Sequence, residues 1–356
     1  MKKIIIAPLN WGLGHATRCV PIIKELQKSN FTPVIASDGT ALQFLIKEFP
    51  SLEFFELPSY KISYGRNLKW SLILKIPTIV RAVHKERLLI QEYVHQNPNV
   101  VWIISDNRFG CYYTKIPSVY ITHQLNVLSG FLTPVTSFFH RRVIRKYNEC
   151  WIPDEENSVY SGKLSRSSKN LNQKYIGVLS IFKKQELPQD IDVLILLSGP
   201  EPNRTQLEIK LTSIFKTYSK KVYLIQGVVE KTQKTTKENQ LTIVNFMLTN
   251  ELDKIFNSSK LVICRSGYSS VIDLVSLNKK ALLIPTKFQN EQEYLAKHLH
   301  KKKYFSYVKE KEVNNKIVDD LPKLTPVNLK KKEFNSRLLH LFHGKWKFRS
   351  FFKSTF

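Results

Sequence analysis

Residues 3–36 read KIIIAPLNWGLGHATRCVPIIKELQKSNFTPVIA. The opening Lys3-Ile4-Ile5-Ile6-Ala7-Pro8 is a short apolar run closed by proline, which predicts a parallel strand buried on both faces. A glycine turn follows, Gly12-Leu13-Gly14-His15, and Ala16 to Lys28 then carries Val20, Ile22, Ile23 and Leu26 at helical spacing. Thr32 to Ala36 is a second strand. This order of strand, glycine loop, helix and strand begins a doubly wound α/β sheet. Val100 to Ile104 and Ser118 to Thr122 read as later strands of the same sheet, each running into polar residues, Asp106-Asn107-Arg108 and His123-Gln124.

The same alternation returns further on, with strands at Asp192 to Leu197, Val222 to Gln226, Leu261 to Cys264 and Ala281 to Pro285. Between the two runs, Ser158 to Lys174 is rich in Ser, Lys and Asn and reads as a loop or linker. The expected organisation is therefore two α/β domains, 1–157 and 176–335. A basic, aromatic segment, 336–356, is expected to pack back on the first. A chain of 356 residues accommodates two such domains, and an apolar content of 42% excludes a disordered chain.

The formal net charge of +26 predicts attraction to polyanions: nucleic acid, anionic lipid or diphosphate-bearing substrates. Cys19, Cys111, Cys150 and Cys264 are scattered without metal-binding spacing, which fits reduced thiols in a cytoplasm. No run of about 18 apolar residues is present, so no membrane span is expected.

Four constellations carry candidate chemistry. In Gly12-Leu13-Gly14-His15-Ala16-Thr17-Arg18 the glycines allow close backbone approach, and the helix start offers free N–H groups. His15 stands where a general base would act, and Arg18, one turn on, where an anion would be held. Alone, such a turn is as readily a plain glycine corner with a capping histidine. Asp106, Arg108, His123 and Gln124 follow strands whose carboxyl ends converge on that edge, with Asp106 placed to orient His15 or bind an acceptor hydroxyl. Ser198-Gly199-Pro200-Glu201-Pro202-Asn203-Arg204 is a rigid turn with backbone donors and a cation for a diphosphate, or an ordinary connecting loop. The most specific is Cys264-Arg265-Ser266-Gly267-Tyr268-Ser269-Ser270-Val271-Ile272-Asp273, a strand end and Ser-Gly turn opening a helix. Its N–H groups suit a diphosphate, and Asp273 lies one turn in, within reach of a ribose. The amides and carboxylates of Asn290, Gln292 and Glu293, on the next helix, suit sugar hydroxyls.

These residues, and above all CRSGYSSVIDLVSLNKKALLIP at 264–285, resemble the GT-B nucleotide-sugar glycosyltransferases of the MurG-like group, whose C-terminal domain is that of family 28. The resemblance implies two Rossmann-like domains facing across a cleft. It implies a donor diphosphate on Ser266, Gly267, Ser269 and Ser270, a ribose on Asp273, a donor sugar on Gln292 and Glu293, and a base near Phe246 and Met247. His15 would be a base or acceptor contact. Leu13 interrupts that group's glycine–histidine loop, and Glu293 replaces a glutamine, so the match to MurG itself is not close.

The reaction expected from this is transfer of a sugar, N-acetylglucosamine among the candidates, from a UDP-sugar to a lipid-linked or cell-envelope glycan. It would proceed with inversion and without a metal cofactor, helix N-termini with Arg204 or Arg265 supporting the leaving diphosphate. Tyr60 to Arg87, Phe138-Phe139-His140-Arg141-Arg142 and the C-terminus mix apolar stems with Lys and Arg, as an anionic membrane surface requires. A peripheral enzyme on the inner membrane face is expected, and no nucleic-acid partner. The alternatives are a UDP-sugar epimerase on the same fold and a non-catalytic RNA-binding protein.

Overall fold

The computed structural model describes residues 1–60, 68–168, 170–199 and 201–324, together with Leu329, Lys332, Phe334 and Phe342; the side chains of 68–75 are not described. The first half runs β1 (Lys3–Pro8), α1 (Leu13–Lys28), β2 (Thr32–Ser37), α2 (Gly39–Glu48), β3 (Phe54–Glu56), α3 (Leu68–Gln96), β4 (Val100–Asp106), β5 (Ser118–Ile121), α4 (Thr133–Ile144), β6 (Glu149–Ile152) and β7 (Gln173–Tyr175). These strands form one parallel sheet in the order β3-β2-β1-β4-β5-β6-β7.

The second half runs β8 (Ile191–Leu196), α5 (Asn203–Phe215), β9 (Val222–Ile225), β10 (Thr235–Glu238), β11 (Leu241–Val244), α6 (Thr249–Asn257), β12 (Ser259–Cys264), α7 (Tyr268–Leu277), β13 (Lys280–Leu283), α8 (Asn290–Lys301), β14 (Ser306–Tyr307) and α9 (Lys316–Asp320). Its sheet, β10-β11-β9-β8-β12-β13-β14, is parallel apart from the β10–β11 hairpin at the edge.

The apolar run of β1 is explained by what covers it. Ile4 and Ile6 pack among Ala16, Val20 and Ile23 of α1, while Ile5 and Ala7 face Ile90 and Val94 of α3. A central strand covered on both faces has no polar side to show. In each sheet the chain order reverses beside the central strand, between β1 and β4 and between β8 and β12. Loops leaving those strand ends splay apart and leave a crevice, where open α/β sheets bind ligands.

Three expectations change. The segment 158–174, read as a loop or linker, is largely loop, but an anchored one. Tyr160 and Leu164 are buried in the core of the second half, and Asp154 accepts from Tyr160 N (3.2 Å) and Ser161 N (2.8 Å), after which β7 completes the first sheet. Tyr60 does not face a membrane: it is buried, and its hydroxyl donates to Glu86 Oε2 at 2.7 Å. Of the C-terminal segment, Phe342 does pack back on the first half, buried against Phe31, Trp102 and Trp151. Lys61, Tyr64, Arg66 and the remaining aromatic residues after Phe342 lie outside the described residues. On the way to Phe342 the returning chain meets the outgoing one, Val178 N donating to Lys332 O at 2.9 Å.

Candidate active site

The crevice between the sheets is a cleft of about 1220 Å³. From the first half it is lined by Gly12, Gly14, His15, Arg18, His123 and Gln124, and from the second by Ser198, Gly199, Phe246, Met247, Gly267, Ser269, Ser270, Asp273, Asn290 and Gln292. Residues up to 280 positions apart in sequence are thus brought to one place, because each follows a parallel strand whose carboxyl end opens there. Gly12 (φ +81°) and Gly199 (φ +105°) hold left-handed backbone, and a Cβ on either would meet nothing within 4 Å. Their smallness leaves room in the cleft and is not imposed by crowding.

On the first-half wall the centre is Asp106, the last residue of β4, fully buried. His15, in the first turn of α1, places Nδ1 2.9 Å from Asp106 Oδ1. Arg18, one turn later, donates to both carboxylate oxygens through Nε and Nη2. The Cys19 thiol lies 3.7 Å from Oδ2. His15 Nδ1 also lies 2.8 Å from Arg18 Nη2, but that nitrogen donates to Asp106 Oδ1; the tautomer with Nδ1–H on the carboxylate satisfies Asp106 and leaves His15 the Nε2 lone pair that a base needs. Burial pushes the Asp106 carboxyl up, but the charge of Arg18 and the hydrogen bonds from Arg18 and His15 outweigh it and hold it well below the usual carboxylate range. Burial, aided by the charge of Arg18, lowers His15 despite the pull of Asp106. The imidazole is therefore neutral at physiological pH, the state a general base requires.

On the facing wall, α7 opens at Gly267, and its first helical bond is Val271 N to Gly267 O at 3.0 Å. The N–H groups of Tyr268, Ser269 and Ser270 precede that bond and face the cleft, together with the positive end of the helix dipole. Asp273 is raised to about 7, chiefly by burial, although Ser180 Oγ donates to it at 2.6 Å. Gln292 Oε1 accepts from Thr286 N at 2.9 Å, which fixes its amide beside Gly267.

Several expected contacts are elsewhere. Arg108 is fully buried and bound to Asp38, Glu86 (2.5 Å) and the carbonyls of Pro8 (3.0 Å) and Pro58 (3.3 Å), so it anchors loops behind the cleft. Arg204 turns to Glu201 and Glu208, and Arg265 is buried against Glu310 (2.6 Å) and the carbonyl of Asn203 (2.8 Å). None of the three lines the cleft, because a buried guanidinium needs a carboxylate and each finds one inside the protein. Arg18 does line it, but the anion it holds is Asp106. Ser266 is buried and donates to Gln292 O at 2.8 Å, so it braces the turn. Glu293 accepts from Phe288 N at 3.1 Å and faces a smaller pocket with Lys287, Lys297 and Lys309. Two residues apart on a helix point to opposite sides, so Glu291, not Glu293, looks into the cleft. Glu291 and Asn107 were legible only as parts of polar runs. Pro200 of the second-half loop lies outside the described residues. The chain's one Asp-x-Asp triplet, Asp190-Ile191-Asp192, starts β8 at the end away from the cleft and pairs with Lys221 and Lys260.

Residues 165–344, half of the chain, match the glycosyltransferase family 28 C-terminal domain. The chain belongs to glycosyltransferase family 28. Among relatives of this family 28 chain is a UDP-N-acetylglucosamine--N-acetylmuramyl-(pentapeptide) pyrophosphoryl-undecaprenol N-acetylglucosamine transferase of Acetivibrio thermocellus. It is 21% identical over 81% of this chain and 80% of its own length. The transferase of the same name from Clostridium tetani is 23% identical over 90% of this chain and 89% of its own length. Among solved structures, MurG of Acinetobacter baumannii superposes with a TM-score of 0.53 at 12% identity, covering 96% of this chain and 93% of its own. The spinosyn rhamnosyltransferase SpnG, solved with thymidine diphosphate, gives 0.60 at 10%, covering 97% and 100%. The family 28 fold is thus the two-domain GT-B arrangement, and the chain is a glycosyltransferase of MurG-like type without being a close match to MurG.

Proposed function

We propose that this family 28 enzyme transfers a sugar, with N-acetylglucosamine the first to test, from a UDP-sugar to a lipid-linked acceptor of the cell envelope. The observation that carries the reading is the way His15 and the start of α7 face each other: Ser269 Oγ donates to Gly14 O at 2.9 Å, so the neutral base and the anion-binding helix end share one small space. His15 Nε2 takes the proton of the acceptor hydroxyl as its oxygen attacks the anomeric carbon. The bond from that carbon to the diphosphate oxygen breaks, and the nucleoside diphosphate leaves with the electron pair. The N–H groups of 268–270 and the hydroxyl of Ser270 stabilise its charge. Direct displacement from the face opposite the leaving group gives inversion. The mechanism asks no metal of the protein, and with Arg204 and Arg265 turned inward it relies on helix-end donors rather than guanidinium groups. Phe246 and Met247 border the base, Asp273 the ribose, and Asn290 and Gln292 the sugar.

The acceptor side favours an apolar chain. Trp11, Ile76, Val80, Phe109, Phe139 and Val143 line the first-half flank of the cleft. Beside it Phe131 (82% exposed), Val135, Phe138 and Phe139 project into solvent next to Arg141, Arg142 and Arg145. Among the described residues no helix is long and apolar enough to cross a membrane. This supports a peripheral enzyme that meets the anionic inner face of the cell membrane through α4 and its approach. A thermal-shift series with UDP-N-acetylglucosamine, other UDP-sugars and UDP tests the donor. The expected result is a rise in melting temperature with uridine nucleotides at concentrations above their Kd. No shift with any of them would overturn the reading.

A further inference from the structure

The relay around Asp106 does not stop at the first half. Arg18 Nη1 reaches His123 Nδ1 at 3.0 Å, and a guanidinium only donates, so His123 accepts at Nδ1 and holds its proton on Nε2. That proton points across the cleft to Glu291 Oε1 at 2.8 Å, while the side-chain amide of Gln124 donates to Oε2. Glu291 belongs to the first turn of α8, on the other sheet's half. A carboxylate in a cleft that receives a diphosphate is electrostatically unfavourable unless its charge is engaged, and here both oxygens are engaged by the opposite wall.

We infer that Glu291 is a positioning residue that fixes the donor-side helix α8 in register with the base. The His123 tautomer is set at one end by Arg18 on Asp106, and Glu291 accepts its proton at the other. The relay therefore couples the placement of α8 to the setting of His15, alongside the contact of Ser269 with Gly14 O. The inference rests on the donor reading above for its consequence in catalysis, but the contact itself is testable without substrate.

The experiment compares hydrogen exchange of segments 12–18 and 120–128, with and without UDP, in the wild type, Glu291→Ala, Gln124→Glu and the double exchange Gln124→Glu with Glu291→Gln. Calorimetry of UDP binding accompanies it. Glu291→Ala removes the acceptor, and Gln124→Glu sets two carboxylates face to face; each is expected to lower protection of these segments roughly tenfold, with UDP affinity changed by less than about threefold. The double exchange restores an amide–carboxylate pair in the reverse sense and is expected to recover most of the protection, which a merely structural role for either residue would not give. Unchanged protection in Glu291→Ala, or no recovery in the double exchange, would overturn the inference. Failure of the wild type to bind UDP would instead sink the donor assignment and leave the exchange comparison to decide the contact.

Discussion

Asp106 has a full set of donors, and that completeness gives His15 its direction. Replacing His15 by Ala removes the neutral imidazole that faces the start of α7. Transfer should fall by about 10²–10⁴-fold, in the range of general base catalysis, while UDP binding, measured by calorimetry, stays near the wild-type value. Because burial lowers the imidazole, kcat/KM should show an acid limb with its midpoint below 6.5, the ordinary imidazole value. A midpoint above that value would contradict a neutral, buried base. Asp273 makes a different prediction. Its carboxyl is held near 7 against an ordinary 3.8, so the folded protein keeps a proton the unfolded chain has lost. That contribution is present below about 3.8 and is lost as pH rises through about 7, a difference of roughly 4 kcal/mol at most. Asp273→Asn should therefore melt higher than the wild type at pH 8 and close to it at pH 4, yet bind UDP about tenfold more weakly, since the carboxyl partner for the ribose is gone. Equal melting at both pH values would show that the carboxyl is not strained by burial.

At the scale of elements, the parts of the fold that alternate apolar strand and helix were legible because a strand covered on both faces has no alternative composition. β1, β2, β8 and β12 fall within a residue or two of the expected runs, and the loops leaving β1, β4 and β12 carry the polar residues that meet in the cleft. What escaped was any feature decided by a partner distant in the chain. Arg108 reads as a free cation beside Asp106, yet Asp38 and Glu86 bind it from behind. The serines of 158–165 read as part of a loop or linker, and nothing in them shows that Asp154 organises the segment or that Tyr160 and Leu164 anchor it. Glu291 and Glu293 are indistinguishable in the sequence until the start of α8 is known, because that start decides which carboxylate faces the other half.

At the scale of the whole molecule, the proposed membrane contact rests on the charge of +26 and the aromatic projection around α4. Vesicles carrying an anionic phospholipid should float the protein, neutral vesicles should float it far less, and replacing Phe131, Phe138 and Phe139 together by Ser should reduce flotation without lowering the melting temperature. Equal, negligible flotation with both vesicle types would exclude a membrane partner. The chain passes between the halves twice, and the two passages touch where Val178 bonds Lys332, with Phe342 seated beyond them in the first half. That bond joins the segment leaving the first half to the one that carries Phe342 back to it, a further link between the halves besides the contacts in the cleft.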